Sequence, residues 1–295
     1  MDHNKNEQLQ EVIIGRCDNL EKLENSILNI DPITAGNLTG QTMPDEESIN
    51  RELNTLTDIL EKNSITVHRP KKNDKICPLF VRDLGCMIDG TFIKARPVRQ
   101  RESEFICIDS ILRKKKIEPY VLSKETSLEG GDIILWDDII FMGYNEDDVF
   151  EKVITARTNV NAVEEIEKKF HKKRVIGLQI KKSESEPKEN GLHLDCVFMP
   201  LGSRACVMHE RSFTTGRDVA LLHKIFSGQI ITVNDEEMIH FACNILQISE
   251  NHFICSNSTS IGKKIRKLGF EVTCIDFTNC EKLGGGIRCV SLPIK

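Results

Sequence analysis

Four short segments of the sequence hold side chains that could take part in acid–base or nucleophilic chemistry. They are FVRD at 80–83, EGGD at 129–132, HLD at 193–195 and GGGIRC at 284–289. Each segment alone has an ordinary structural interpretation, since an Asp after a strand forms turns or caps and a Cys usually packs in a core. The glycine triplet is more informative. Glycines lower stability through chain entropy, so three in a row indicate a backbone that bends sharply or lies close to another group.

Together these side chains form a reagent set for attack on the central carbon of a guanidinium group. That carbon is deactivated by resonance, so a protein must hold the flat cation rigidly, and carboxylates match its donors bidentately. A thiolate is strongly nucleophilic near neutral pH, and the positive charge of the substrate favours its formation. A histidine can protonate the departing amine and then deprotonate the incoming water, while a neighbouring carboxylate orients the ring.

In this order and with these separations, the four motifs resemble the guanidine-modifying enzyme family. That family contains arginine deiminases, dimethylarginine dimethylaminohydrolases, and glycine and inosamine-phosphate amidinotransferases. The resemblance runs from the EVIIGR segment at 11–16 to Cys289. It implies an α/β fold, specifically a five-bladed α/β propeller of pseudo-fivefold ββαβ modules. Residues 1–295 are then expected to form a single catalytic domain.

The resemblance also implies a role for each matching residue. Cys289 would be the nucleophile, His193 the general acid and base, and Glu129 the carboxylate beside the histidine. The substrate-binding residues would be Asp83, Asp195, Asp132, Arg157 and Arg99. Asp83 and Asp195 resemble the aspartates that hold the guanidinium nitrogens, and the two arginines resemble those that bind a substrate carboxylate.

Two of these assignments leave alternatives open. Arg96 and Arg101 compete with Arg99 for the role of second carboxylate-binding arginine, because all three lie in one short segment. Cys77 stands where arginine deiminases have a substrate-binding asparagine. This departure leaves open how the amino and carboxylate groups of the substrate are recognised.

The covalent intermediate can be resolved by water, which gives a ureido product such as citrulline, or by an acceptor amine in an amidinotransferase. The EGGD motif resembles the hydrolases, whereas EVIIGR at 11–16 and VHRP at 67–70 resemble the amidinotransferase opening. The sequence is shorter than those of typical arginine deiminases, and we expect it not to contain their extra helical domain. We therefore expect a hydrolase of arginine or a substituted arginine, with amidino transfer as the alternative.

Two interpretations from other classes are weaker. The same fold occurs as a non-enzymatic module in a ribosome-associated initiation factor, but such a module has no reason to keep the whole Cys-His-Glu-Asp set. A zinc site built from Cys289, His193 and the acids has no close ligand pair to support it. We expect no cofactor and no metal, and a small guanidino compound as the partner.

Composition limits the class of protein further. The net charge of −5 argues against a nucleic-acid surface, which usually needs a basic stripe. No apolar run approaches the roughly 20 residues that span a bilayer, and the N-terminal MDHNKNEQLQ lacks the apolar segment of a signal peptide. The 11 cysteines are scattered without a CxxC pair, which is typical of reduced thiols. We expect a cytoplasmic protein with no membrane contact; a homo-oligomer is compatible with this.

Strand and helix patterns alternate along the chain. Ile49, Leu53, Leu56 and Leu60 recur at helical spacing and predict a helix that begins near residue 45. Short apolar runs predict strands over 86–93, 105–108, 133–142 and 287–294, and the polar stretch over 18–44 predicts a long loop that could fold over a site. These elements must position the four motifs.

Overall fold

The computed structural model describes residues 8–21 and 31–295, and their strands form five three-stranded sheets. The strands are β1 (Glu11–Ile14), β2 (Thr66–His68), β3 (Gly85–Ile88), β4 (Thr91–Lys94), β5 (Pro119–Val121), β6 (Ile133–Trp136), β7 (Ile139–Tyr144), β8 (Arg174–Gln179), β9 (Phe198–Leu201), β10 (Ala205–Met208), β11 (Ile230–Thr232), β12 (Leu246–Ser249), β13 (His252–Ser256), β14 (Glu271–Ile275) and β15 (Ser291–Pro293). The helices are α1 (Pro32–Thr39), α2 (Glu46–Lys62), α3 (Ile106–Lys114), α4 (Asp147–Phe150), α5 (Val160–Lys169), α6 (Leu194–Val197), α7 (Gly216–Phe226), α8 (Asp235–Ile239), α9 (Ile261–Lys267) and α10 (Thr278–Glu281). Short 3-10 helices lie at Val81–Leu84, Arg99–Phe105, Gly130–Asp132, Pro187–Glu189 and Glu210–Ser212.

The sheets repeat one pairing pattern. In the sheets β3-β4-β5, β6-β7-β8, β9-β10-β11 and β12-β13-β14, the first two strands are antiparallel and the third lies parallel to the second. Parallel neighbours need a crossover connection, and α3, α5, α7 and α9 lie in these connections. The predicted α/β fold of pseudo-fivefold ββαβ modules is therefore confirmed.

The fifth sheet joins the two ends of the chain. β15 pairs antiparallel with β1, and β1 pairs parallel with β2 after a connection that contains α2. The strand predicted over 287–294 is shorter than expected, because the chain turns before Ser291 and only then joins β1. Cys289 therefore lies in a turn at the entrance to β15. That residues 1–295 form one catalytic domain remains a prediction.

Two predicted strands are hairpins. The segment 86–93 divides into β3 and β4 around Asp89 and Gly90, whose φ angles of 46° and 77° are the left-handed values of a tight hairpin turn. The segment 133–142 divides into β6 and β7 around Asp137, with φ of 57°. Each turn interrupts its apolar run at only two polar or glycine positions, Asp89-Gly90 and Asp137-Asp138, so each run by itself predicts one strand.

Two other sequence predictions are wrong. The run 105–108 is not a strand but the start of α3, because Cys107, Ile108 and Leu112 bury one helical face. The loop predicted over 18–44 contains α1, and residues 22–30 lie outside the described part. Asp31 caps α1 by accepting a hydrogen bond from the Thr34 backbone, and a proline at the first helical position favours the helix further.

The long helix α2 agrees with its predicted face, since Ile49, Leu53, Leu56 and Leu60 are all fully buried. These side chains belong to the largest hydrophobic cluster, which also includes Ile287, Cys289 and Val290. Among the helices that the structure describes, none is both long and apolar enough to cross a membrane. The core therefore supports the turn that carries Cys289.

Candidate active site

Polar or reactive side chains lie just before the first strand of each sheet. Asp83 precedes β3, Asp132 precedes β6, Asp195 lies on α6 before β9, Asn244 precedes β12, and Cys289 precedes β15. These positions are far apart in sequence, but they are equivalent within the repeated modules. The repetition of one module therefore brings five distant segments toward a common site.

A narrow cavity joins several of the predicted residues. Its charged and reactive lining consists of Asp31, Asp83, Arg101, Arg157, His193 and Cys289. All six are buried, with exposed fractions of 5% or less. The structure thus brings together the predicted thiol, histidine, one aspartate and one arginine.

His193 lies between two carboxylates. Its Nε2 is 2.7 Å from Oε2 of Glu129, and its Nδ1 is 3.6 Å from Oδ1 of Asp83. Burial by itself would lower the pKa of His193, but the charges of Asp83, Glu129 and Asp132 outweigh burial and raise that pKa to about 9. The imidazole is therefore positively charged at neutral pH, so it can donate a proton without first having to gain one.

Glu129 is fixed from three directions and stays ionised. Besides His193, its carboxylate accepts hydrogen bonds from Nη1 of Arg157, at 3.1 and 3.3 Å, and from the backbone N–H of Val98 at 3.1 Å. Burial would raise the pKa of Glu129, yet Arg157, His193 and Arg101 hold it well below its usual range. A charged carboxylate therefore faces the ring of His193 throughout the neutral pH range.

Asp83 is held by Arg101 and keeps one oxygen toward the cavity. Arg101 Nη1 donates to Asp83 Oδ2 at 2.6 Å, while the same guanidinium binds Glu104 and the carbonyl of Phe80. Asp83 Oδ1 accepts no hydrogen bond from the described residues. Asp83 therefore offers an available acceptor beside the histidine.

The arginine segment at 96–101 contributes Arg101 to the cavity, whereas the sequence motifs predicted Arg99. Arg99 is exposed at the start of a 3-10 helix, whereas Arg101, two residues later, is buried and lines the cavity. The substrate-binding role of Arg99 remains a prediction that this position does not support. Arg101, its competitor in the sequence, reaches the site because the tight 3-10 turn directs it inward.

Asp195 and Asp132 serve the surrounding framework. Arg288 Nη1 donates to Asp195 Oδ2 at 2.6 Å, and the pair is buried behind the turn of Cys289. Asp132 accepts hydrogen bonds from the Leu194 backbone N–H at 2.9 Å and from the Thr158 hydroxyl at 2.7 Å. Neither aspartate is among the cavity-lining residues, so their predicted contacts with a substrate remain predictions.

Asn244 is a site residue that the sequence motifs do not reveal. Its Oδ1 accepts from the backbone N–H groups of Arg288 and Cys289 at 2.8 and 3.1 Å. Its Nδ2 lies 3.2 Å from the sulfur of Cys289. One amide therefore fixes both the turn and the thiol. The available signal was its place before β12, where the other modules carry a site residue.

The glycine triplet is required by close approach at this turn. A Cβ on Gly285 would lie 2.3 Å from the ring of Phe80, and one on Gly286 would lie 2.7 Å from Oδ1 of Asn244. No side chain fits at such distances without displacing these neighbours. We expected another group to approach the backbone closely before Cys289, and Phe80 and Asn244 are the residues that do so.

Metal ligation competes poorly with the interactions already present. Within the described part of the chain, ligand atoms of Asp83, Glu129 and His193 lie within 4.8 Å of one another, as do those of His193, Asp195 and Cys196. Cys289 belongs to neither group. Buried arginines already neutralise the carboxylates in both groups, so the donor set fits acid–base chemistry better than a cation site.

Known proteins are similar to this chain in sequence or in fold. The model of the family N,N dimethylarginine dimethylhydrolase, eukaryotic, matches residues 38–295. The uncharacterized protein YkgA of Bacillus subtilis is 26% identical over 219 residues, which cover 73% of this chain and 69% of YkgA. The N-terminal domain of the cyanobacterial arginine dihydrolase ArgZ, covalently bound to a reaction intermediate, has a TM-score of 0.79 at 18% identity and covers 97% of each chain. DDAH from Pseudomonas aeruginosa complexed with citrulline has a TM-score of 0.74 at 17% identity and covers 97% of this chain and 99% of that one.

At these identities the solved structures establish the fold, while the family match spans most of the chain. Both agree with the resemblance carried by the four sequence motifs and with the five-sheet architecture. The chain belongs to the N,N dimethylarginine dimethylhydrolase family of guanidine-modifying enzymes.

Proposed function

We propose that this protein hydrolyses the guanidinium group of arginine or a substituted arginine through a covalent amidino intermediate on Cys289. The observation that carries the proposal is the single cavity lined by Cys289, a charged His193 and the available oxygen of Asp83. A thiol, an acid and an anionic acceptor are the groups that attack on a guanidinium carbon requires. The product is a ureido compound such as citrulline.

The proposed reaction has two halves with opposite proton transfers. Asp83 holds the guanidinium group of the substrate by accepting hydrogen bonds from its N–H groups. The Cys289 thiolate then forms a C–S bond to the guanidinium carbon. The C–N bond to the departing amine then breaks as His193 gives that nitrogen its proton. A water molecule next attacks the same carbon while His193 takes one of its protons. The C–S bond then breaks to regenerate the thiolate, and the remaining hydroxyl proton passes to solvent as the C=O bond of the ureido product forms.

The buried charges of the cavity support an amino acid as the substrate. Arg101 and Arg157 both line it and can face a substrate carboxylate, while Glu129 keeps His193 charged and oriented. The family match makes N,N-dimethylarginine the first substrate to test. Amidino transfer to an acceptor amine remains the alternative.

The test is a screen of L-arginine, Nω-methylarginine and Nω,Nω-dimethylarginine, with and without glycine or ornithine. We expect ureido product together with ammonia or a methylamine in the absence of any acceptor. Cys289→Ala should remove all turnover, whereas Cys206→Ala, a buried cysteine of β10, should retain it. Product that forms only with an acceptor would establish amidino transfer instead, and full activity in Cys289→Ala would overturn the mechanism.

A further inference from the structure

Asp31 places a second available carboxylate oxygen in the cavity. Its side chain is buried, with an exposed fraction of 5%, and it lines the same cavity as His193 and Cys289. Oδ2 accepts hydrogen bonds from the backbone N–H and the hydroxyl of Thr34, at 2.7 and 2.5 Å. Oδ1 is buried and accepts no hydrogen bond from the residues that the structure describes. The helix cap thus uses only half of this carboxylate.

The neighbouring backbone is shaped around Asp31. Gly284 has φ of 82°, and a Cβ there would lie 2.2 Å from Asp31 Oδ2 and 3.1 Å from the Thr34 hydroxyl. α1 is also tied to this segment, since Asn37 Nδ2 donates to the carbonyl of Lys282 at 3.1 Å. The first glycine of the triplet therefore makes room for Asp31, as the other two make room for Phe80 and Asn244.

A buried carboxylate oxygen without a donor is unfavourable unless a ligand supplies one. The two arginines that line the cavity already form ion pairs with other carboxylates, because Arg101 binds Asp83 and Arg157 binds Glu129. The guanidinium end of the substrate is matched by Asp83, beside His193. An arginine-type substrate carries one more cation, its α-ammonium group.

We propose that Asp31 is a specificity residue that binds the α-ammonium group of the substrate through Oδ1, an inference that rests on the proposed function. Asp31 then recognises the positive charge of the amino-acid head group, and Arg101 and Arg157, although paired with Asp83 and Glu129, leave positive charge in the cavity beside the α-carboxylate. Cys77, the departure noted in the sequence, takes no part, since its thiol is buried and lies 3.5 Å from the carbonyl of Arg16. Recognition of the amino group is assigned instead to the segment that carries α1.

The test compares substrates that differ only in the α-amino group. Asp31→Asn keeps an oxygen for the Thr34 N–H and an equally good helix cap, but it removes the charge. The probes are L-arginine, Nω,Nω-dimethyl-L-arginine and the corresponding 5-guanidinopentanoates, which lack the amino group. We expect kcat/KM for the amino acids to fall about 10- to 100-fold, mainly through KM, and kcat/KM for the 5-guanidinopentanoates to change less than about threefold.

Asp45→Asn is the matched control, because Asp45 caps α2 in the same way but is exposed and does not line the cavity. Asp45→Asn should leave kcat/KM unchanged for all four substrates. An equal loss for both kinds of substrate in Asp31→Asn, or no loss at all, would overturn the assignment while the proposed function stands. If the unsubstituted protein consumes none of the four compounds, the proposed function fails and this inference fails with it.

Discussion

Replacing Glu129 with Gln should lower the pKa of His193 with little change in side-chain size. Burial opposes the charge on His193, yet nearby carboxylates raise the pKa from 6.5 to about 9. That difference corresponds to about 3 kcal/mol in favour of the charged ring. Glu129 supplies the carboxylate that lies 2.7 Å from Nε2. An amide oxygen can still accept that hydrogen bond but carries no charge, so we expect the pKa to fall by about 1 to 2 pH units.

The measurement is an NMR titration of ring-labelled histidine in the free protein, in which the His193 signal is identified by its loss in His193→Asn. The unsubstituted protein should titrate near pH 9 at this residue. Because this pKa is raised in the folded state, its contribution to the free energy of unfolding is complete below about pH 6.5 and is lost as the pH rises through about 9. The same loss should shift to lower pH in Glu129→Gln.

Glu52→Gln provides the matched control for removing a buried glutamate. The Glu52 carboxylate accepts hydrogen bonds from backbone N–H groups of Asn279 and Cys280 at the start of α10, and it does not line the cavity. The titration of His193 should be unchanged in this variant. A midpoint near 6.5 in the unsubstituted protein, or an unchanged midpoint in Glu129→Gln, would refute the electrostatic reasoning.

Two further predictions concern the turn that carries the thiol. Asn244→Ala should lower kcat by about 10- to 100-fold, because it removes the amide that fixes Cys289, and an unchanged kcat would exclude a positioning role. Arg288→Met leaves the Asp195 carboxylate buried without its partner and should lower the free energy of unfolding in urea by about 3 to 5 kcal/mol. The control Arg113→Met breaks an ion pair on the exposed face of α3 and should cost less than about 1 kcal/mol; equal losses would contradict the argument.

The sequence by itself determined the family and the type of fold, and it predicted the nucleophile. Four motifs with a thiol, a histidine and carboxylates are recognisable without any contact information, because the chemistry of a guanidinium restricts the residue types that can attack it. Helical spacing likewise located α2, since a buried face requires an apolar residue every three or four positions. Strand boundaries were less certain, because two-residue turns interrupt apolar patterns only briefly.

Only the tertiary structure decided which polar side chains meet. Arg99 and Arg101 are two residues apart and chemically identical, so the direction of the 3-10 turn, rather than any pattern, places Arg101 in the cavity. Asn244 and Asp31 have no motif of their own. Asn244 contacts Cys289, 45 positions later in the chain, and Asp31 lines the cavity together with residues that are distant in sequence. Such contacts arise from the packing of five modules around a shared centre, and local sequence patterns do not reveal that packing.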